Sequence, residues 1–93
     1  MRLPSLKTAK ARLTIPELWH WLGLPGQPAK SCKSPFRDDH RPSFSIYAEG
    51  TRWRDFTTGK GGDAIAFLAQ AKGLRPREAC REFLLIAKRK GIF

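Results

Sequence analysis

Residues 43–56 constrain the fold of this chain more than any other stretch. Over 43–47 the side chains alternate, with Phe44 and Ile46 on one face and Ser43, Ser45 and Tyr47 on the other. That period of two is the mark of a half-buried strand. Ala48-Glu49-Gly50-Thr51 reads as a turn, and 52–56 returns as a second strand. On it Arg52, Arg54 and Phe56 share one face, while Trp53 and Asp55 share the other. The centre of the chain is therefore expected to be an antiparallel hairpin.

Helical patterns flank it. Thr14-Ile15-Pro16-Glu17 opens a helix: Thr14 caps it, Glu17 completes a capping box and Pro16 is tolerated in the first turn. Ile15, Leu18, Trp19 and Leu22 form one apolar stripe, His20 and Trp21 point elsewhere, and Gly23 suits the stop. Residues 24–41, rich in Pro, Lys and Ser, read as loop with a short strand near 29–32. Residues 57–62 read as a tight, glycine-rich connection. Asp63 then caps a helix to about Lys72, with Ala64, Ile65, Phe67, Leu68 and Ala71 available for the core and Gly73 at its end. Pro76 opens a last helix to about Lys90, burying Ala79, Cys80, Phe83, Leu84 and Ala87 and leaving Arg77, Arg81 and Lys88 opposite. The order is helix, small antiparallel sheet, helix, helix: an α+β domain over 13–93. Residues 1–12, with Arg2, Lys7, Lys10 and Arg12, read as a loose basic arm that either reaches phosphates or merely aids solubility.

Ninety-three residues make one domain, of a size at which a metal, disulfides or a partner often supplement the core. Eighteen Lys and Arg against 8 Asp and Glu give a formal charge of +10, spread along the whole chain. Such an excess favours phosphate-rich partners, because neutralising phosphates releases condensed counterions. No apolar run approaches the roughly 20 residues that span a bilayer, and the basic N-terminus lacks an apolar signal core. Two cysteines, Cys32 and Cys80, are too few for a disulfide framework. A reducing, cytoplasmic setting is expected.

Four motifs carry a resemblance. They are Ser34-Pro35-Phe36-Arg37, Arg41-Pro42-Ser43-Phe44, Trp53-Arg54-Asp55-Phe56-Thr57-Thr58-Gly59 and Gly62-Asp63-Ala64-Ile65-Ala66-Phe67-Leu68. At these separations the chain resembles the CHC2-type zinc-binding domain of bacterial and phage primases. That family places a Cys-Pro-x-His knuckle before a Thr-Pro-Ser-Phe strand. A Cys-x-x-Cys knuckle follows the hairpin, and Gly-[Asn/Asp]-Ala-Ile-x-Phe-Leu opens a helix. The resemblance puts the four zinc-ligand positions on Ser34, Arg37, Asp55 and Thr58. None is a thiolate or imidazole, and an arginine repels the cation. The expectation is a zinc-ribbon-like core without zinc, in which Arg37 and Asp55 form an ion pair completed by the Ser34 and Thr58 hydroxyls. Cys32, His40, His20 and Cys80 match no common zinc spacing, so a core cysteine and surface histidines are the competing assignment.

The resemblance and the residue pattern point to one surface. Arg37, Arg41, Tyr47, Arg52, Trp53, Arg54 and Lys60 interleave cations with rings, as single-stranded nucleic acid requires. Against this, Trp53 and Phe56 also suit the core of a small sheet. Thr58-Gly59-Lys60-Gly61-Gly62 lacks the spacing of a nucleotide phosphate loop. Asp38-Asp39-His40 has no geometry for converging on one substrate atom, so no catalysis and no small-molecule substrate are expected. The function expected is a zinc-free module binding single-stranded DNA in replication. The alternative is an adaptor that docks Trp21, the last helix and the terminal Ile92 and Phe93 onto a helicase, polymerase or primase. A third reading, RNA binding, would show as preference for folded RNA.

Overall fold

The capping box expected at Thr14 is formed. Its hydroxyl accepts from the Glu17 amide at 3.4 Å, and the Glu17 carboxylate accepts from the Thr14 amide at 3.2 Å. In the computed structural model, which describes residues 5–38 and 41–91, this box opens helix α2 (Ile15–Trp21). Ile15, Leu18 and Trp19 are buried on one side, while His20 and Trp21 face outward.

Upstream the structure departs from the loose arm expected over 1–12. Ser5 caps a first helix, α1 (Leu6–Arg12), accepting from the Thr8 amide. Ala9 and Leu13 are fully buried, and α1 packs on the last helix. Lys10 reaches Asp63 at 3.3 Å, tying α1 to the start of a later helix. A small alanine at Ala9 allows close approach, and the basic residues around it concealed that contact. Met1 to Pro4, with Arg2, lie outside the described residues, as do Asp39, His40, Ile92 and Phe93.

The hairpin forms as expected. Strands β1 (Phe44–Tyr47) and β2 (Arg52–Asp55) pair antiparallel, Phe44 opposite Asp55, Ser45 opposite Arg54, Ile46 opposite Trp53 and Tyr47 opposite Arg52. Between them Ala48, Glu49 and Gly50 all take positive φ (52°, 58° and 85°). The Gly50 carbonyl accepts from the Ile15 amide at 2.8 Å, so the turn is fastened to the start of α2. The short strand expected near 29–32 is reduced to a bridge between Cys32 and Phe44.

The connection expected over 57–62 instead contributes a third strand, β3 (Gly61–Asp63), paired with β2 in the order β1-β2-β3. It lacks side-chain alternation, and sterics explain why. A Cβ on Gly61 would lie 2.6 Å from the Trp53 carbonyl oxygen, so only glycine lets the backbones come together there. Asp63 ends β3 and caps α3 (Ala64–Lys72), its carboxylate accepting from the Ala66 amide at 2.9 Å. Gly73 stops that helix at φ 65°. The last helix, α4 (Pro76–Arg89), buries Ala79, Phe83, Ile86 and Ala87, with Cys80 and Leu84 half-buried.

The core lies between one face of the sheet and the helices. Trp19, Phe36, Phe44, Trp53 and Phe67 form a single aromatic cluster, with ring centroids 5.2–6.3 Å apart in stacked, tilted and edge-on contacts. Rings of this size each bury a large apolar area, which matters in a domain this small. The outer face of β1 and β2 is left to solvent.

Candidate nucleic-acid interface

Asp55 points inward beside Trp53, as strand alternation requires, and its side chain is only 4 % exposed. A buried carboxylate needs partners. Arg37 supplies them side-on: Nη1 donates to Oδ2, and Nη2 donates to Oδ1 at 3.0 Å. Nη2 also donates to the Ser43 hydroxyl at 2.8 Å. From the other side, Oδ1 accepts from the amides of Thr57 at 2.9 Å and Thr58 at 3.3 Å. Burial pushes the Asp55 carboxyl upward, but the Arg37 bond, the two amides and the guanidinium charge outweigh it and hold it below its ordinary value.

Arg37 and Asp55 are thus brought together, and Thr58 borders the same small hollow with Phe36, Trp53 and Lys60. Ser34 is buried in the adjoining turn. The hydroxyl roles differ from expectation. Ser34 Oγ accepts from the Phe36 amide at 3.1 Å, and Thr58 Oγ1 accepts from the Lys60 amide at 3.2 Å. Each braces its own turn, and Ser43 takes the place beside the guanidinium. Strand pairing sets Ser43 there, because its carbonyl accepts from the Phe56 amide at 2.9 Å.

Two residues expected to contact nucleic acid are otherwise occupied. Trp53 is 3 % exposed, stacks on Phe44 and donates its indole N–H to the Asp63 carbonyl at 3.0 Å. It belongs to the core, since its strand parity matches Asp55. Arg37 is engaged by Asp55 and Ser43. The remainder stand outward: Arg41, Tyr47, Arg52, Arg54 and Lys60 are all exposed.

Phe56 joins them. It is 65 % exposed, the most of any large apolar side chain among the described residues, and the Arg54 guanidinium lies 6.0 Å from its ring centroid. Its parity with Arg52 and Arg54 was the sequence signal for this placement. Tyr47, 41 % exposed, stands across from Arg52. The outer face of the sheet therefore presents two cations on its central strand with a ring at each end. Asp63 on β3 pairs opposite Arg52. Burial raises its carboxyl, while the Ala66 amide, Lys10 and Arg52 lower it further, leaving it below the ordinary value.

Both cysteines are free thiols; Cys32 is buried and donates to the Ala29 carbonyl at 3.4 Å. Among the described residues, no group of three or more His, Cys, Asp or Glu side chains is placed to hold a metal ion, and no helix is long and apolar enough to cross a membrane.

A family model described as the CHC2 zinc finger matches residues 26–91, more than two thirds of the chain. No curated protein matches it. The family normally binds zinc, and structural zinc takes four thiolate or imidazole donors. The corresponding positions here offer two neutral hydroxyls, one carboxylate with both oxygens engaged, and a guanidinium with no lone pair to give. They do not fit the ion. The matched span contains the whole sheet, both turns of the Arg37–Asp55 pair and the two helices behind them, so the chain belongs to the CHC2 zinc-finger family, whose role is primase-related nucleic-acid binding.

Proposed function

We propose that this chain is a zinc-free, primase-type module that binds single-stranded DNA in replication, in the cytoplasm and without catalysis of its own. One observation carries the reading: Arg52 and Arg54 stand exposed on the central strand, flanked by the exposed rings of Tyr47 and Phe56, on the face opposite the aromatic core. Alternate residues of a strand are about 6.8 Å apart. That repeat suits cations following the phosphates of an extended strand while rings at either end stack on bases. Arg41 and Lys60 extend the positive charge beyond the strand ends.

The test is a fluorescence-anisotropy titration with single-stranded DNA at low salt. Micromolar binding with modest sequence preference is expected. Arg52→Ala with Arg54→Ala should weaken it far more than Arg77→Ala with Arg81→Ala, a pair on the exposed side of α4. Equal losses would mean generic charge attraction, and no binding would sink the proposal.

A second reading, an adaptor for a helicase, polymerase or primase, is favoured by Trp21. It is 44 % exposed at the end of α2, with the Lys90 ammonium 5.5 Å from its ring centroid. If Trp21→Ala abolished capture of a purified replication partner while Arg52→Ala with Arg54→Ala did not, the adaptor would stand.

A further inference from the structure

We infer that Arg37, Asp55 and Ser43 form a clasp that does mechanically what a metal does in this family, joining two turns and thereby setting Phe56 in place on the sheet's outer face and Lys60 at its edge. The inference rests on the zinc-free reading above. A structural metal makes two distant turns share one rigid centre. Here that centre is the Asp55 carboxylate. It takes the guanidinium from the turn at 34–37 and two amides from the turn at 55–60. The Ser43 hydroxyl extends the centre to the strand between them. Both turns are closed locally as well, by Ser34 Oγ on the Phe36 amide and by the Gly59 amide on the Asp55 carbonyl at 2.8 Å.

Phe56 depends on this arrangement because its ring has little packing of its own. Its backbone is fixed between Asp55 and the amides that Asp55 gathers, and its N–H is held by the Ser43 carbonyl. Lys60 is held through its amide on Thr58 Oγ1 and its carbonyl, which accepts from the Asp55 amide at 2.8 Å. Arg37, Asp55 and Ser43 are thus positioning residues for the binding face. None of them needs to touch nucleic acid.

The test returns a metal to the clasp in the full chain. A variant carrying Ser34→Cys, Arg37→His, Asp55→Cys and Thr58→Cys should bind one equivalent of Co²⁺, with thiolate charge-transfer and tetrahedral d–d absorption. Its single-stranded DNA affinity should match the wild type when loaded and fall roughly tenfold or more on chelation, because folding of the turns is coupled to the metal. The wild type should melt and bind identically with and without chelator. A folded variant that takes up no cobalt, or binds DNA equally with and without it, overturns the inference. Should that variant fail to fold in either state, a double-mutant cycle on Arg37→Gln and Asp55→Asn decides. A loss of melting temperature in the double variant well below the sum of the singles supports the clasp, and strict additivity overturns it. If the wild type binds no single-stranded DNA, the proposed function fails, while cobalt uptake and the thermal cycle still judge the clasp.

Discussion

At Asp55, solvation and pairing pull in opposite directions. An isolated carboxylate this buried would be driven to its neutral form. Four hydrogen bonds and a guanidinium keep it charged, with its pKa below the ordinary 3.8. Because the folded pKa is depressed, the stability this gives is fully present above the unfolded value and is lost as pH falls through the folded one. Asp55→Asn should cost about 2–3 kcal/mol at neutral pH, below the usual 3–5 for a severed buried pair because Arg37 keeps some solvent contact. Urea titrations from pH 7 down to pH 2 check the sign. The gap between wild type and variant should stay level above about pH 5 and close below pH 4. A gap that widened on acidification would contradict the account.

The pair itself was legible because two motifs, 34–37 and 53–59, set Arg37 and Asp55 at matching positions of one known layout. Its third member was not. Ser43 lies beside the guanidinium through strand register, which the sequence expresses only as parity. Trp53 and Phe56 make the same point. Interleaving with arginines suggested Trp53 as a base-stacking ring, whereas parity with Asp55 sends it inward and parity with Arg54 sends Phe56 outward.

Among the elements, those with caps or alternation declare themselves. The capping box at Thr14, the Asp63 cap, the Gly73 stop and the alternation of β1 and β2 all have chemical signatures, and all form. α1 was hidden by its charge, since one buried alanine does not make a periodic stripe. β3 was hidden by composition: glycines usually weaken strands, and here Gly61 is required by a backbone approach. Gly61→Ala tests that explanation directly. Its methyl group would meet the Trp53 carbonyl, which is main chain and cannot rotate away. The variant should lose about 1–3 kcal/mol, in the range of an overpacked site, with weakened near-ultraviolet dichroism as Trp53 shifts. Gly59→Ala, where a Cβ meets nothing within 4 Å but φ is 77°, separates crowding from backbone strain. Its cost should be the smaller of the two.

For the whole molecule, the question is whether +10 acts as a diffuse attraction or through a defined footprint. The two differ in salt dependence. Each phosphate neutralised on a single strand contributes about −0.7 to the slope of log K against log salt. Arg41, Arg52, Arg54 and Lys60 are the exposed cations assigned to the proposed footprint on the sheet and its edge. Four contacts give a slope of about −3, so affinity should drop about fiftyfold between 50 and 200 mM salt. Replacing Arg52 and Arg54 by alanine removes two contacts and should bring the slope to about −1.4. Removing Arg77 and Arg81 changes net charge by the same amount and should leave the slope near −3. A diffuse attraction predicts equal flattening from both pairs, because it counts charges without regard to place. The comparison holds at any absolute affinity, since it depends only on which cations the bound strand touches.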